Sequence, residues 1–154
     1  MIFEDIDFSF NKLNFKSKKI SSVKGKGGFI ISGNIGNDII ELNEKNINLF
    51  KKKLFPDTKV KELKFISNNS FTIRIDEKFK FKDTSIDSKI IIKNLKIFKD
   101  LKLEKFFPLF KKKINLVNNE INFKYKNDSY SLNGSGDVII QKELDYISYS
   151  IEKD

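Results

Sequence analysis

Apolar and polar residues alternate in short stretches along almost the whole chain, and lysine is the usual polar partner. Phe71-Thr72-Ile73-Arg74-Ile75 carries the pattern, as do Phe79-Lys80-Phe81-Lys82, Ile121-Asn122-Phe123-Lys124-Tyr125 and Ile147-Ser148-Tyr149-Ser150-Ile151. A period of two places every second side chain on the same side of a pleated strand. The expected fold is therefore mainly β and antiparallel, with one apolar face and one cationic face. Its expected shape is a curved sheet or rolled trough with one or two short helices.

Along the chain, Ile6, Phe8 and Phe10 alternate, and Leu13 and Phe15 resume one residue out of step, which reads as a bulge near Asn11-Lys12. Short strands are expected at 29–31 and 39–42, parted by turn residues Gly33-Asn34 and Gly36-Asn37-Asp38. Asn43 is placed to cap a short helix that puts Ile47, Phe50 and Leu54 on one side and stops at Pro56. Strands return at 60–65, 71–81 and 90–98, and a second short helix is expected between Asp100 and Lys113. The rest reads as short strands with turns at Asn118-Asn119, Asn127-Asp128 and Asn133-Gly134, for about ten to twelve strands in all. A faint repeat pairs Gly25-Lys26-Gly27-Gly28-Phe29-Ile30-Ile31 with Gly134-Ser135-Gly136-Asp137-Val138-Ile139-Ile140. Either a unit is duplicated or a narrow composition echoes itself. The 154 residues read as a single β-rich domain, or as a segment of a longer repetitive protein with candidate halves 1–70 and 71–154.

Composition removes several chemistries. The chain has no Cys and no His, so disulfides, thiolate metal sites and Ser-His or Cys-His catalysis are excluded. The glycine cluster misses the phosphate-loop pattern, because Gly25-Lys26 is followed by Gly27 rather than Ser or Thr. Small residues there instead let a strand bend or let backbones approach closely. The carboxylates converge on no recognisable pair, so no enzyme, metal or cofactor is expected. The net charge of +9 rests on lysine, with Arg74 the only arginine. Alternation also puts Phe and Lys on opposite faces, so they cannot jointly grip a nucleic-acid strand. No specific nucleic-acid binding is expected. Nor does any apolar run approach the ~20 residues that cross a bilayer as a helix.

Sixteen phenylalanines and no alanine leave an apolar face that must be covered by another sheet, closed as a barrel, or left lining a groove. A groove lined by Phe and Ile, and lacking polar hooks, suits acyl chains. The candidate lipid-contacting residues are Phe8, Phe10, Phe71, Ile73, Ile75, Phe79, Phe81, Ile121, Phe123, Tyr125, Ile147, Tyr149 and Ile151.

The run from Ile114 to Tyr125, followed by Tyr130-Ser131-Leu132-Asn133-Gly134-Ser135-Gly136-Asp137-Val138-Ile139-Ile140, resembles the AsmA-like superfamily, especially its YhdP-type members. The stretch from Val23 to Leu42 resembles it again, and together they span about half of the chain. The resemblance implies a long β-sheet rolled into a hydrophobic trough. It implies a non-catalytic conduit for phospholipid between the inner and outer membranes of Gram-negative bacteria. The full-length protein would then be periplasmic and anchored in the inner membrane, its membrane contact supplied by an anchor outside this sequence. The alternatives are a closed β-sandwich serving adhesion or assembly, a cationic nucleic-acid binder, and a cytoplasmic location.

Overall fold

A computed structural model of the chain describes residues 1–10, 13–47, 59–98, 113–140 and 142–153. Eight strands form one antiparallel sheet: β1 (Ile2–Phe10), β2 (Leu13–Gly25), β3 (Gly28–Asn43), β4 (Lys59–Asp76), β5 (Phe81–Phe98), β6 (Lys113–Lys126), β7 (Ser129–Ile140) and β8 (Glu143–Lys153). Their spatial order is their sequence order, so the sheet is a meander. Each strand touches only its neighbours in sequence, and β1 and β8 do not meet. The sheet is therefore open. A one-turn helix, α1 (44–47), follows β3. Its cap is the expected one, with Asn43 Oδ1 accepting the Asn46 amide at 3.1 Å. The expected helical positions Phe50 and Leu54, and the second helix between Asp100 and Lys113, lie outside the described residues.

The strands are fewer and longer than the sequence predicts. At ~3.3 Å per residue, the 18 residues of β4 and of β5 span about 60 Å. Gly33-Asn34 and Gly36-Asn37-Asp38 do not turn the chain, because they lie inside β3, all but Asp38 paired with β4. Asn118-Asn119 lies inside β6 and Asn133-Gly134 inside β7. Residue 70 falls within β4. Phe10 of β1 pairs with Leu13 of β2, and Asn11 and Lys12, where a bulge is expected, lie outside the described residues. Asn127-Asp128 is a turn as expected. Both residues have positive φ (45° and 75°), which suits the right-handed twist of the flanking strands.

Bulges occur inside the strands. Pairing shifts by one residue between Lys16 and Ile20, between Asn37 and Ile40, between Lys64 and Phe65, and between Val117 and Glu120, among others. A one-residue slip would send every following side chain to the wrong face. Here each extra residue absorbs the slip. Leu42, Leu63, Leu95, Leu116 and Val138 consequently line up across five strands beyond the bulges. This end of the sheet holds the core. Ile40, Leu42, Ile47 of α1 and Val60 are buried, with Leu13, Phe15, Leu63, Phe65 and Leu95 packed around them.

Candidate functional site

The register assembles the apolar face row by row. Gly33, Phe71, Ile86, Tyr125 and Tyr130 form one row. Asn69, Ser88, Phe123, Leu132 and Ile151 form the next, and Ser67, Ile90, Ile121, Gly134 and Tyr149 the one after. Of the thirteen residues singled out from sequence, twelve lie on strands and face this side. Phe79 sits in the β4–β5 turn, its ring stacked 6.3 Å from Phe29. Phe8 stacks on Phe15 at 5.5 Å, and Phe123 meets Tyr130 at 6.4 Å. Ile73 and Ile75 lie opposite Ile31 and Phe29, and Phe81 lies opposite Ile75. Phe10 pairs with Leu13 at the far end of β1, and Ile147 with Gly136.

Alternation missed part of this face. Ile86 and Ile90 belong to it, but the run Lys82-Asp83-Thr84-Ser85 hid the start of β5. Phe29, Ile31 and Ile35 belong to it too, and were obscured by the glycines read as turns. Where two apolar residues adjoin, as at Ile139-Ile140, alternation gives no face and pairing does. Ile140 faces Ile114 on the apolar side, and Ile139 faces Asn115 on the other.

Away from the core end, the apolar face is half-exposed. Ile31, Phe71, Ile73, Ile86, Ile121, Phe123 and Tyr125 are neither buried nor fully exposed. No second layer covers them among the described residues, since all strand contacts run within the sheet. The chain exposes 11532 Å² of surface. A compact monomer of this size exposes about 8,000 Å². The excess fits a single-layered sheet rather than a closed sandwich.

Small polar residues interrupt the face midway along the strands. Ser17, Asn37, Ser67, Ser88 and Asn119 are buried. Asn37 and Asn119 serve the bulges. Asn37 Oδ1 accepts the Ser67 amide at 3.1 Å and also the Ser67 hydroxyl, while its Nδ2 donates to Asp38 O at 2.6 Å and Phe65 O at 3.3 Å. Asn119 Nδ2 donates to Val117 O at 3.0 Å and Asp137 O at 2.8 Å. These side chains replace ladder bonds that a bulge removes. Ser17 Oγ and Asn119 Oδ1 have no partner among the described residues.

The opposite face is not the uniformly cationic surface that composition implies. Lys64 pairs with Glu41 at 3.0 Å, Arg74 with Asp83 at 3.4 Å, Lys89 with Glu120 at 2.8 Å and Lys124 with Asp87 at 3.8 Å. Lys96 also bonds Glu62, and Lys16 bonds Asp38. Such pairs are each worth well under ~1 kcal/mol at the surface, but they fix cross-strand register and mask charge. Lys96, then Asn94, holds the Glu62 carboxyl below its ordinary range, and Lys89 does the same for Glu120. Asp38 raises Lys16, and Glu41 raises Lys64. On the apolar side, burial raises the Tyr149 phenol. A surface depression of about 350 Å³ lies on the polar face between Ile30, Thr72, Arg74, Asp83 and Lys126. It is open, and its only arginine is already paired with an acid.

Among the described residues no group of acidic side chains could hold a metal ion, and no helix is long and apolar enough to cross a membrane. No family model, characterised protein or solved structure matches the chain.

Proposed function

We propose that the half-exposed apolar face contacts the acyl chains of phospholipid or a similar lipid, and that the chain works as a non-catalytic conduit segment. The observation that carries this reading is the set of adjoining Phe, Ile and Tyr rows with no protein layer over them among the described residues. A contiguous apolar surface of this kind is rare on a monomer unless something binds it. Acyl chains need no hydrogen-bond partners, and the half-exposed rows offer few. Contact would replace water at roughly 25 cal/mol per Å². Transfer along the face would then be passive. The resemblance to AsmA-like proteins supports the same reading, and with it a periplasmic, inner-membrane-anchored whole protein.

The test is purification in mild detergent, mass spectrometry of organic extracts, and titration with a fluorescent fatty acid. Copurified phospholipid and saturable uptake are expected. Ile121→Glu/Phe123→Glu places two charges in adjoining rows and should abolish uptake. A lipid-free protein that takes up no probe defeats the proposal. A second reading, an assembly module, draws on the two open edges β1 and β8. It predicts stable self-association in sedimentation without any lipid. Nucleic acid stands outside the proposal, because many of the polar-face cations are paired with acids on neighbouring strands.

A further inference from the structure

One end of the sheet differs from the rest of the surface. There the β2–β3 turn (Gly25–Gly28) lies beside the β4–β5 turn (77–80), because β3 and β4 pair from Gly28↔Asp76 onward. Phe79 and Phe81 project at this tip, 77% and 72% exposed. Phe29 and Ile75 lie directly behind them, Phe29 stacked on Phe79 and Ile75 opposite Phe81. Val23 of β2 is exposed too, on the opposite face, where it pairs with Ile30. Two large aromatic side chains held out in water at one hairpin tip cost stability and gain nothing from folding.

Positive charge is also concentrated at this tip. Residues 23–29 and 76–82 hold five lysines against Asp76 and Glu77, a net of +3. In the body, Lys64, Lys89 and Lys96 are paired with acids, while Lys93 and Lys126 stand exposed without an ion pair among the described residues. Lys24, Lys26, Lys78 and Lys80 are exposed and form no ion pair among the described residues. Asp76 does not neutralise them. Its Oδ1 accepts the amides of Lys78 and Lys80 at 2.9 Å each, and its other oxygen meets Lys82 at 3.3 Å. Those bonds brace the turn that presents Phe79.

Exposed aromatic rings between unpaired lysines match the interface of an anionic bilayer. There the rings enter the headgroup boundary while the ammonium groups meet lipid phosphates. We infer that this hairpin tip docks the sheet on an anionic membrane surface. A nucleic-acid strand fits less well. Stacking along a strand needs successive free ring faces, and one face of Phe79 is already taken by Phe29. The inference does not depend on lipid occupying the apolar face. It concerns a tip that binds bilayers, not single acyl chains.

The test uses the full chain with two sets of vesicles, one purely zwitterionic and one containing about a third anionic phospholipid. Flotation should recover the protein with the anionic vesicles only, and added salt should release it. Lys78→Glu/Lys80→Glu should weaken vesicle binding by about thirtyfold or more while fatty-acid uptake is unchanged. Phe79→Ser/Phe81→Ser should weaken it at least about tenfold. The chain has no tryptophan, so F79W is a single reporter whose emission should shift to the blue on anionic vesicles. I39W, exposed near the other end of β3, should not shift. Equal binding to both vesicle types overturns the assignment. So does an equal shift at both reporters, unchanged binding by either double variant, or displacement of the vesicles by a single-stranded oligonucleotide. Loss of fatty-acid uptake with vesicle binding intact would strike only the conduit reading.

Discussion

Gly134→Ala tests how β8 is held. Gly134 pairs with Tyr149 across β7 and β8, and the phenol ring lies flat over the glycine. A methyl group at residue 134 would overlap three atoms of the Tyr149 side chain: ring carbons Cζ and Cε2 and the hydroxyl oxygen. The ring must lift. Tyrosine buries of the order of 200 Å², and lifting it exposes about half of that. At ~25 cal/mol per Å² the loss is about 2.5 kcal/mol. Alanine in a strand recovers about 0.5–1 kcal/mol over glycine through the unfolded chain. The net cost is about 1.5–2 kcal/mol, or roughly 4–8 °C in Tm for a chain of this size. Urea denaturation of four chains closes the cycle: wild type, Gly134→Ala, Tyr149→Ser and the double variant. Without the ring, alanine meets no obstacle, so Gly134→Ala should become stabilising in the Tyr149→Ser background. Phenol absorbance gives a second readout. Burial raises the Tyr149 pKa above its ordinary 10.0, so the lifted ring should titrate closer to that value. A folded-state pKa raised in this way favours the neutral phenol. The stability it adds is full below the ordinary value and fades as pH rises through the folded one. If Gly134→Ala has the same sign and size in both backgrounds, the ring is not what the glycine accommodates, and the account fails.

Asn37→Ala should cost about 2–3 kcal/mol, because it leaves the buried Ser67 amide without its acceptor at the β3 bulge; chemical denaturation measures it, and a neutral result would mean that the bulge does not need its clamp. Val138 is 1% exposed in the leucine row, so Val138→Ala should cost about 2 kcal/mol in the same assay, whereas the exposed Leu144→Ala should cost under about 0.5 kcal/mol. Lys96 and Asn94 lower the Glu62 pKa. Its contribution is therefore present above the ordinary 4.5 and lost as pH falls through the lower folded value. Glu62→Gln should accordingly lose less stability than wild type between about pH 7 and about pH 3, and equal losses would refute the pairing.

The fold class and the faces were legible in the order of residues alone. Alternation at Phe71-Thr72-Ile73-Arg74-Ile75 and at Ile121-Asn122-Phe123-Lys124-Tyr125 was enough to put those residues on one side of a sheet, because side-chain direction in a strand is a local property of the backbone. The cap at Asn43 and the turn at Asn127-Asp128 were legible for the same reason, since each is made by a few neighbouring residues. Pairing is not local, and there the tertiary structure decided. Asn37, Asn119 and Gly134 look like turn residues in isolation, yet each sits inside a long strand. The carbonyls of Phe65 and Asp137 take up the two asparagine amides, and the Tyr149 ring takes up the space over the glycine. Bulges that no periodicity reveals kept the leucine row in register. Acids from neighbouring strands turned a cationic face into a largely paired one. Only the partner strands could place those acids, because they stand 9 to 37 residues away along the chain but opposite or diagonal to the basic side chains in the sheet.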